Sequence, residues 1–504
     1  MNVLRVMKLA KLITAGWLIL LAGCAVGPDY QKPVVETPES YRLEPEPVDE
    51  VVNLKWWELF DDPVLYDLVT TALENNRDLK IAASRVLQAR AVLGFTRADR
   101  YPKLDVTADA RTGNLITATG DTTDDTQTSA FIAFPLTYEV DFWGKFWRAT
   151  EAARAELLAS EFGLKAVQIS LISDVVGAYY QLLDLHQRLA VSQKTLKSRE
   201  NSLNIIEQRF EKGIIPEIDV NQSQVQKEIV AASIPLFERN IVLTENALSI
   251  LFGEIPAAVE TGKDLTAQTA PPKIPTGLPS NLLERRPDIA QAEALLKAQT
   301  EQIGIAVAAR IPSFTLTGLV GGATNELAGI STDGEVWRVQ GEMLGPVFNF
   351  GKNARRVDIE REKTQQALFQ YENTVLTAFR EVEDALVEIE TYRNQIAAVS
   401  RQRNAAANAN RLSKKRYDQG VTSFLEVLKT ERQLFNAELE LSDLTRQYLS
   451  AQVNLYKALG GGWVSKAEMM AAGQPIQPTT ELYWSRPPEK TGDEGDVVNV
   501  NAEK

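Results

Sequence analysis

Apolar positions along this chain recur with two different periods. From Lys352 to Gln419 there is neither glycine nor proline, and Leu368, Tyr371, Val375, Ala378, Val382, Ala385, Ile389, Tyr392, Ile396 and Val399 alternate spacings of three and four. That is a heptad seam, which predicts one continuous helix packed along its length. Lys145 to Lys212 is also free of proline, and at 1.5 Å per residue each stretch would make a helix about 100 Å long. Gly213 and Gly420 predict the stops and tight turns. Further helical runs follow, Val220 to Leu251 and Ser423 to Leu459, so two long helical hairpins are expected. Shorter leading helices, from about Pro63 to Arg100 and Pro279 to Arg310, run into Pro102 and Pro312.

Between each leading helix and its long helix the period changes to two. Leu104, Val106, Ala108 and Ala110 alternate with Asp105, Thr107, Asp109 and Arg111, and Phe134, Leu136, Tyr138 and Val140 alternate with Pro135, Thr137, Glu139 and Asp141. Further on, Phe314, Leu316, Gly318 and Val320 flank Thr315 and Thr317, while Trp337, Val339, Gly341 and Met343 flank Arg338, Gln340 and Glu342. Polar loops are expected over Thr117–Ser129 and Thr324–Glu335, and Pro346 is expected to disturb the register after the last strand. Runs of about ten residues with one apolar and one polar face are the weak signature of an outer-membrane β-barrel strand, and the alternative for each run alone is a half-buried strand of a soluble sheet. Four per chain cannot close a barrel, and an open sheet edge is not tolerated in lipid, so closure would come from other copies.

The same landmarks occur twice, offset by 207 to 210 residues. Asn76-Arg77-Asp78-Leu79 matches Arg286-Pro287-Asp288-Ile289, and Phe142-Trp143-Gly144-Lys145 matches Asn349-Phe350-Gly351-Lys352. Arg209-Phe210-Glu211-Lys212-Gly213 matches Arg416-Tyr417-Asp418-Gln419-Gly420. The chain is read as an internal duplication. The first repeat spans 63–278, with strands over 104–111 and 131–143, a hairpin over 144–251 and a linker over 253–278. The second spans 279–462, with strands over 313–323 and 336–350 and a hairpin over 351–459. Residues 463–504, with four prolines among polar neighbours, read as an extended belt or a disordered end.

Composition narrows the function. The 504 residues include one cysteine, Cys24, and one histidine, His186, too few for a zinc site or a nucleophile–histidine pair. A carboxylate-only hydrolase has no supporting motif, and no enzyme is expected. Residues 1–23 have a secretory-signal layout: Arg5, Lys8 and Lys11 precede an apolar run from Leu12 to Leu21 that is too short for a stable span. Leu21-Ala22-Gly23-Cys24 resembles a bacterial lipobox, which makes Cys24 a lipid anchor, and Ala25 in place of aspartate favours the outer membrane. Residues 24–62 then form a lipidated N-terminal segment. Removing the signal takes three positive charges from a net −13 and leaves −16. That balance disfavours nucleic acid as a partner and predicts a lumen biased toward cations.

These features, with Cys24-Ala25-Val26-Gly27-Pro28-Asp29-Tyr30, Trp56-Trp57, Asp62-Pro63, Arg285-Arg286-Pro287-Asp288-Ile289, Phe379-Arg380-Glu381-Val382-Glu383-Asp384-Ala385-Leu386 and Asn454-Leu455-Tyr456-Lys457-Ala458-Leu459-Gly460, resemble the TolC family of outer-membrane channels, in its lipidated branch serving resistance-nodulation-division efflux pumps. The resemblance implies an α+β membrane protein: a homotrimer with a twelve-stranded barrel in the outer membrane, four strands per chain, continued by a long periplasmic α-helical coiled-coil barrel. It implies an equatorial belt from the N-terminal segment, the linker and the C-terminal region. It also implies a periplasmic adaptor (membrane fusion) protein and an inner-membrane transporter as partners, small molecules as cargo, and no cofactor beyond the lipid on Cys24. By the same resemblance the periplasmic gate would comprise Asp219, Leu425, Glu426 and Tyr417, with Tyr417 bonding Asp219. Thr422 stands where some members carry a latch arginine, and Lys429 where a second aspartate often lies. The competing readings are a structural periplasmic lipoprotein rod and a protein-secretion duct of the same family.

Overall fold

A computed structural model describes residues 25–38, 40–43, 62–113, 127–268, 282–327 and 330–461. The expected signal over 1–23, Cys24, Trp56-Trp57, the end of the linker and the belt or tail over 463–504 lie outside the described residues. Each repeat opens with helices: α1 (Pro63–Asn75) and α2 (Arg77–Ala98) in the first, α5 (Leu282–Arg285) and α6 (Pro287–Ala308) in the second. Strands β1 (Lys103–Leu104), β2 (Thr107–Gly113) and β3 (Gln127–Val140) precede α3 (Lys145–Glu211) and α4 (Glu217–Leu251). In the second repeat β4 (Ser313–Leu327) and β5 (Ile330–Leu344) precede α7 (Lys352–Asp418) and α8 (Phe424–Ala458).

The duplication is kept in the lengths of three helix pairs. α2 and α6 both have 22 residues, α3 and α7 both have 67, and α4 and α8 both have 35. Both long helices start after a left-handed glycine, Gly144 at φ +72° and Gly351 at φ +82°. Such a backbone reversal redirects the chain from strand to helix without the Cβ clash another residue would meet.

The sheet is antiparallel and four strands wide, because β1 and β2 lie end to end against β3, followed by β4 and β5. Its register puts like with like. Tyr138, Leu316 and Gly341 stand in one row, as do Leu136, Gly318 and Val339, then Phe134, Val320 and Trp337. The interleaved rows carry Glu139, Thr315 and Glu342, and Thr137, Thr317 and Gln340. Across these rows one face is therefore apolar and exposed, with Trp337 at 76% and Val339 at 78%, and the other is polar. Among the described residues no helix is long and apolar enough to cross a membrane.

Three strand expectations are corrected. The strand expected over 104–111 is split into β1 and β2. Pro135, opposite the break, has no N–H to give to the ladder, and only its carbonyl accepts, from Asp105 N at 3.0 Å. The strand expected over 336–350 runs instead from Ile330 to Leu344 and stops before Gly345-Pro346. The polar loop expected over Thr324–Glu335 is mostly paired strand, with Leu327 opposite Ile330. Alternation marks a strand only where its two faces meet different surroundings, so polar residues there concealed strand.

The heptad seam of α7 divides its partners. Tyr371, Val375 and Ala378 pack with Ile289, Ala292 and Leu296 of α6, and Val382 and Ala385 pack with Leu455, Ala458 and Leu459 at the end of α8. The largest core joins Leu65 and Val69 of α1, Val175, Val176 and Tyr179 of α3, Phe237 and Leu248 of α4, and Val453 of α8.

Asp62 closes this core where the N-terminal segment and the linker meet. It caps α1 through Val64 N at 3.1 Å and accepts from the Tyr179 hydroxyl at 2.8 Å and from Gln268 Nε2 at 2.7 Å. Burial pushes its carboxyl up, but the bonds from Gln268, Tyr179 and Val64 outweigh burial and hold it below the ordinary value of 3.8. A lowered folded pKa adds stability that is complete above 3.8 and is lost as pH falls through the folded value. An Asp62→Asn variant should accordingly melt below wild type at pH 7, and the gap should narrow as pH falls below 3.8, as circular dichroism melts in detergent can check.

Candidate functional site: the paired hairpin turns

The two hairpin turns are built alike. Past the end of α3, Gly213 takes φ +70° and Ile214 N returns to Arg209 O at 2.9 Å. Past α7, Gly420 takes φ +72° and Val421 N returns to Arg416 O at 2.9 Å. Both are Schellman stops, in which a left-handed residue lets the next N–H satisfy a free helix carbonyl. The helices restart at Glu217 and Phe424 with an acidic residue in the first turn, Asp219 in α4 and Glu426 in α8, where the helix dipole favours negative charge.

A small core holds the two turns together. Ile206, Phe424, Val427 and Leu428 are buried, with Ile215, Val220 and Tyr417 packed against them. The Tyr417 ring lies 5.2 Å from that of Phe424, and the Arg209 guanidinium sits 4.8 Å over it, a cation–π contact that ties α3 to α7. The Tyr417 hydroxyl is buried and has no hydrogen-bond partner among the described residues. The Tyr417–Asp219 bond implied by the resemblance is thus not formed within one protomer.

Glu426 is held inside its own hairpin. Arg416 Nη1 reaches Glu426 Oε1 at 2.9 Å, and the Thr422 hydroxyl donates to Oε2. A guanidinium is therefore present at this turn after all, supplied by position 416 rather than 422. Leu425, one residue earlier, is 58% exposed. It helps to line a cleft of about 410 Å³ between the hairpins, with Ile218 and Val225 of α4 and Leu428, Lys429 and Arg432 of α8. Asp219 is half-buried beside Ile218, so the structure brings both acidic positions to the same end of the bundle. Reading the sequence missed Arg416, Arg209 and Phe424 as parts of this site. Arg416 lies in the repeated landmark before Gly420, and its reach to Glu426 follows only from the turn geometry.

At the other end of the long helices a second polar cluster ties the chain start to both repeats. Arg148, 1% exposed, bonds Glu301 Oε2 at 2.8 Å, Asp29 Oδ1 at 2.8 Å and the Gly27 carbonyl at 3.3 Å. Val26 N donates to Trp143 O at 3.1 Å, next to the end of β3. Gly27, at φ +102°, lies so close to α6 that a Cβ would come 2.5 Å from Gly304 Cα. The segment continues beside α6, where Tyr30 and Lys32 meet Glu293 at 3.1 and 3.0 Å.

A sheet apolar on one face and polar on the other, continued into 67-residue helices whose far turns carry charge, defines the protomer of an outer-membrane channel. The comparisons agree with this class. The family model described as "Outer membrane efflux protein" matches residues 68–254 and 278–461, one match in each repeat. The chain is 33% identical to the probable outer membrane lipoprotein SilC of Salmonella typhimurium, over 90% of this chain and 99% of that protein. It is 36% identical to the solvent efflux pump outer membrane protein SrpC of Pseudomonas putida, over 88% and 97%. Among solved structures, the open state of the Neisseria gonorrhoeae MtrE outer membrane channel superposes with a TM-score of 0.77 at 30% identity, covering 87% of this chain and 98% of that one. This chain belongs to the outer membrane efflux protein family. It is a channel component of the outer membrane, a passive duct and not an enzyme.

Proposed function

We propose that three copies of this chain close a single tube that serves as the exit duct of a tripartite pump for small molecules. The observation that carries this reading is the four-stranded sheet with an exposed apolar face and two edges, β2 and β5, that are unpaired among the described residues. In lipid those edges must be paired. Single-chain barrels start at about eight strands, and three four-stranded sheets joined β2 to β5 supply twelve. The helices would carry the lumen about 100 Å into the periplasm, toward a periplasmic adaptor and an inner-membrane resistance-nodulation-division transporter. SrpC, by its name a solvent efflux pump protein, supports a small-molecule cargo. A planar-bilayer recording on the purified oligomer tests the reading. Stepwise ion current is expected, and its complete absence, even with Asp219 and Glu426 neutralised, would overturn it.

Cys24 is the proposed lipid anchor. Its neighbour Ala25 packs on Gly144, at the junction of sheet and helices, where acyl chains would meet the bilayer edge, and SilC is by its name a lipoprotein. Cys24→Ser should abolish incorporation of labelled palmitate, and unchanged labelling would refute the assignment.

The periplasmic gate is proposed at Asp219, Leu425, Glu426 and Tyr417, about the turns at Gly213 and Gly420. In a closed trimer the unpartnered Tyr417 hydroxyl can find a carboxylate on a neighbouring hairpin, while Leu425 narrows the axis. Leu425→Ala and Glu426→Ala are expected to raise basal conductance and antibiotic susceptibility. Glu426→Ala acts by freeing Arg416 and Thr422 from the turn. Unchanged conductance in both variants would count against the gate.

A further inference from the structure

Among the described residues, the ionisable side chains that line the cleft between the hairpin turns are of one sign. Its α4 wall is Ile218, Val225 and amide side chains, and its α8 wall is Leu425, Leu428, Lys429 and Arg432, so the ionisable groups among these described lining residues are two cations. Leu425, Lys429 and Arg432 stand at i, i+4 and i+7 and share one helix face, and all three are exposed. The carboxylates nearest to them in sequence are engaged elsewhere. Glu426 is held by Arg416 and Thr422, and Glu431 is paired with Lys414 at 2.8 Å. Behind the cleft the buried Arg199 donates to the backbone carbonyl of Gln226, one of the lining residues. Glu217 and Asp219 flank Ile218 in the first turn of α4 and set two negative charges near the two positive ones, although neither lines the cleft.

We propose that the periplasmic tip of this channel is an anion-preferring vestibule, with Lys429 and Arg432 as the residues that set its charge preference. It would admit carboxylate-, sulfonate- or phosphate-bearing solutes more readily than cations, the reverse of what the acidic composition predicts for the lumen. The inference rests on the reading of these turns as the gate of a trimeric duct. In that arrangement six cations surround the axis, and a rim of like charge with low-dielectric walls concentrates counter-ions in its mouth.

The test uses full-length protein carrying Leu425→Cys, whose new thiol lies on the face of Lys429 and Arg432. Its rates with an anionic and a cationic methanethiosulfonate are compared with those of free cysteine. The anionic reagent should be favoured by at least about threefold relative to free cysteine. The preference should invert with Lys429→Asp and Arg432→Asp, or fall to unity with the milder Lys429→Gln and Arg432→Gln if the aspartate pair does not assemble. A ratio equal to that of free cysteine, a ratio indifferent to these changes, or no reaction with either reagent would each overturn the proposal, the last because a neighbouring copy would then cover the cleft. Reversal potentials in a potassium chloride gradient keep the two readings separate. Current with potassium preference and a thiol ratio of unity refutes the anion vestibule alone, whereas absence of any current refutes the duct.

Discussion

Arginine in place of Val339 should cost the folded protein about 2–4 kcal/mol, the range for a cation at mid-membrane depth on the lipid face of a barrel. Arginine in place of Gln340, one residue on, should change stability little. Val339 lies in the middle of β5, is 78% exposed and stands in the row of Leu136 and Gly318, whereas Gln340 shares its row with Thr137 and Thr317. Because side chains alternate strictly along a strand, adjacent positions meet different solvents, and each substitution serves as the control for the other. Urea unfolding of the protein in lipid vesicles reads the difference. Equal losses at the two positions would mean that the sheet does not separate lipid from a wet lumen.

A second large effect is expected at Arg148. Replacement by methionine leaves Glu301, 4% exposed, as a buried anion without its guanidinium. Breaking a buried pair from one side typically costs about 3–5 kcal/mol. The same change releases Asp29 and the Gly27 carbonyl, so the chain start should come away from the junction of β3 with α3 and become open to protease. Adding Glu301→Met should recover much of the loss, since replacing both members of a buried pair by apolar groups is often near neutral. Protease sensitivity around Asp29 should remain in the double variant, because that contact needs Arg148 itself. Chemical denaturation with limited proteolysis separates the two effects, and a single-variant loss under about 1 kcal/mol would place this pair with ordinary surface ion pairs.

Much of the architecture is legible in the sequence. The length of α7 was readable because the seam from Leu368 to Val399 repeats at the period of a packed helix, that of α3 because Lys145 to Lys212 holds no proline, and the left-handed turns are marked by Gly213 and Gly420. The faces of β3, β4 and β5 were readable for a similar local reason, since each residue's surroundings differ from its neighbour's. Strand ends were less legible. Beyond Ala323 the apolar alternation lapses although pairing continues, and at Pro135 the ladder breaks on one side while continuing on the other.

The order of residues by itself determined the duplicated plan, the long helices, the two-faced strands and the positions of the turns, because each depends on periods and stops within a few residues of one another. Tertiary structure alone decided which charges are spent and which are left. Glu426 meets Arg416 only because the Gly420 turn folds one helix back on the next. Arg148 meets Glu301, 153 positions away, and Asp29, 119 away, only where α3, α6 and the chain start converge. An ion pair has no sequence period, and its energy depends on the separation and burial of two groups, which the packing of distant segments sets. For that reason the composition of the whole chain predicted a cation-favouring lumen, while the packing at the tip leaves Lys429 and Arg432 lining the cleft.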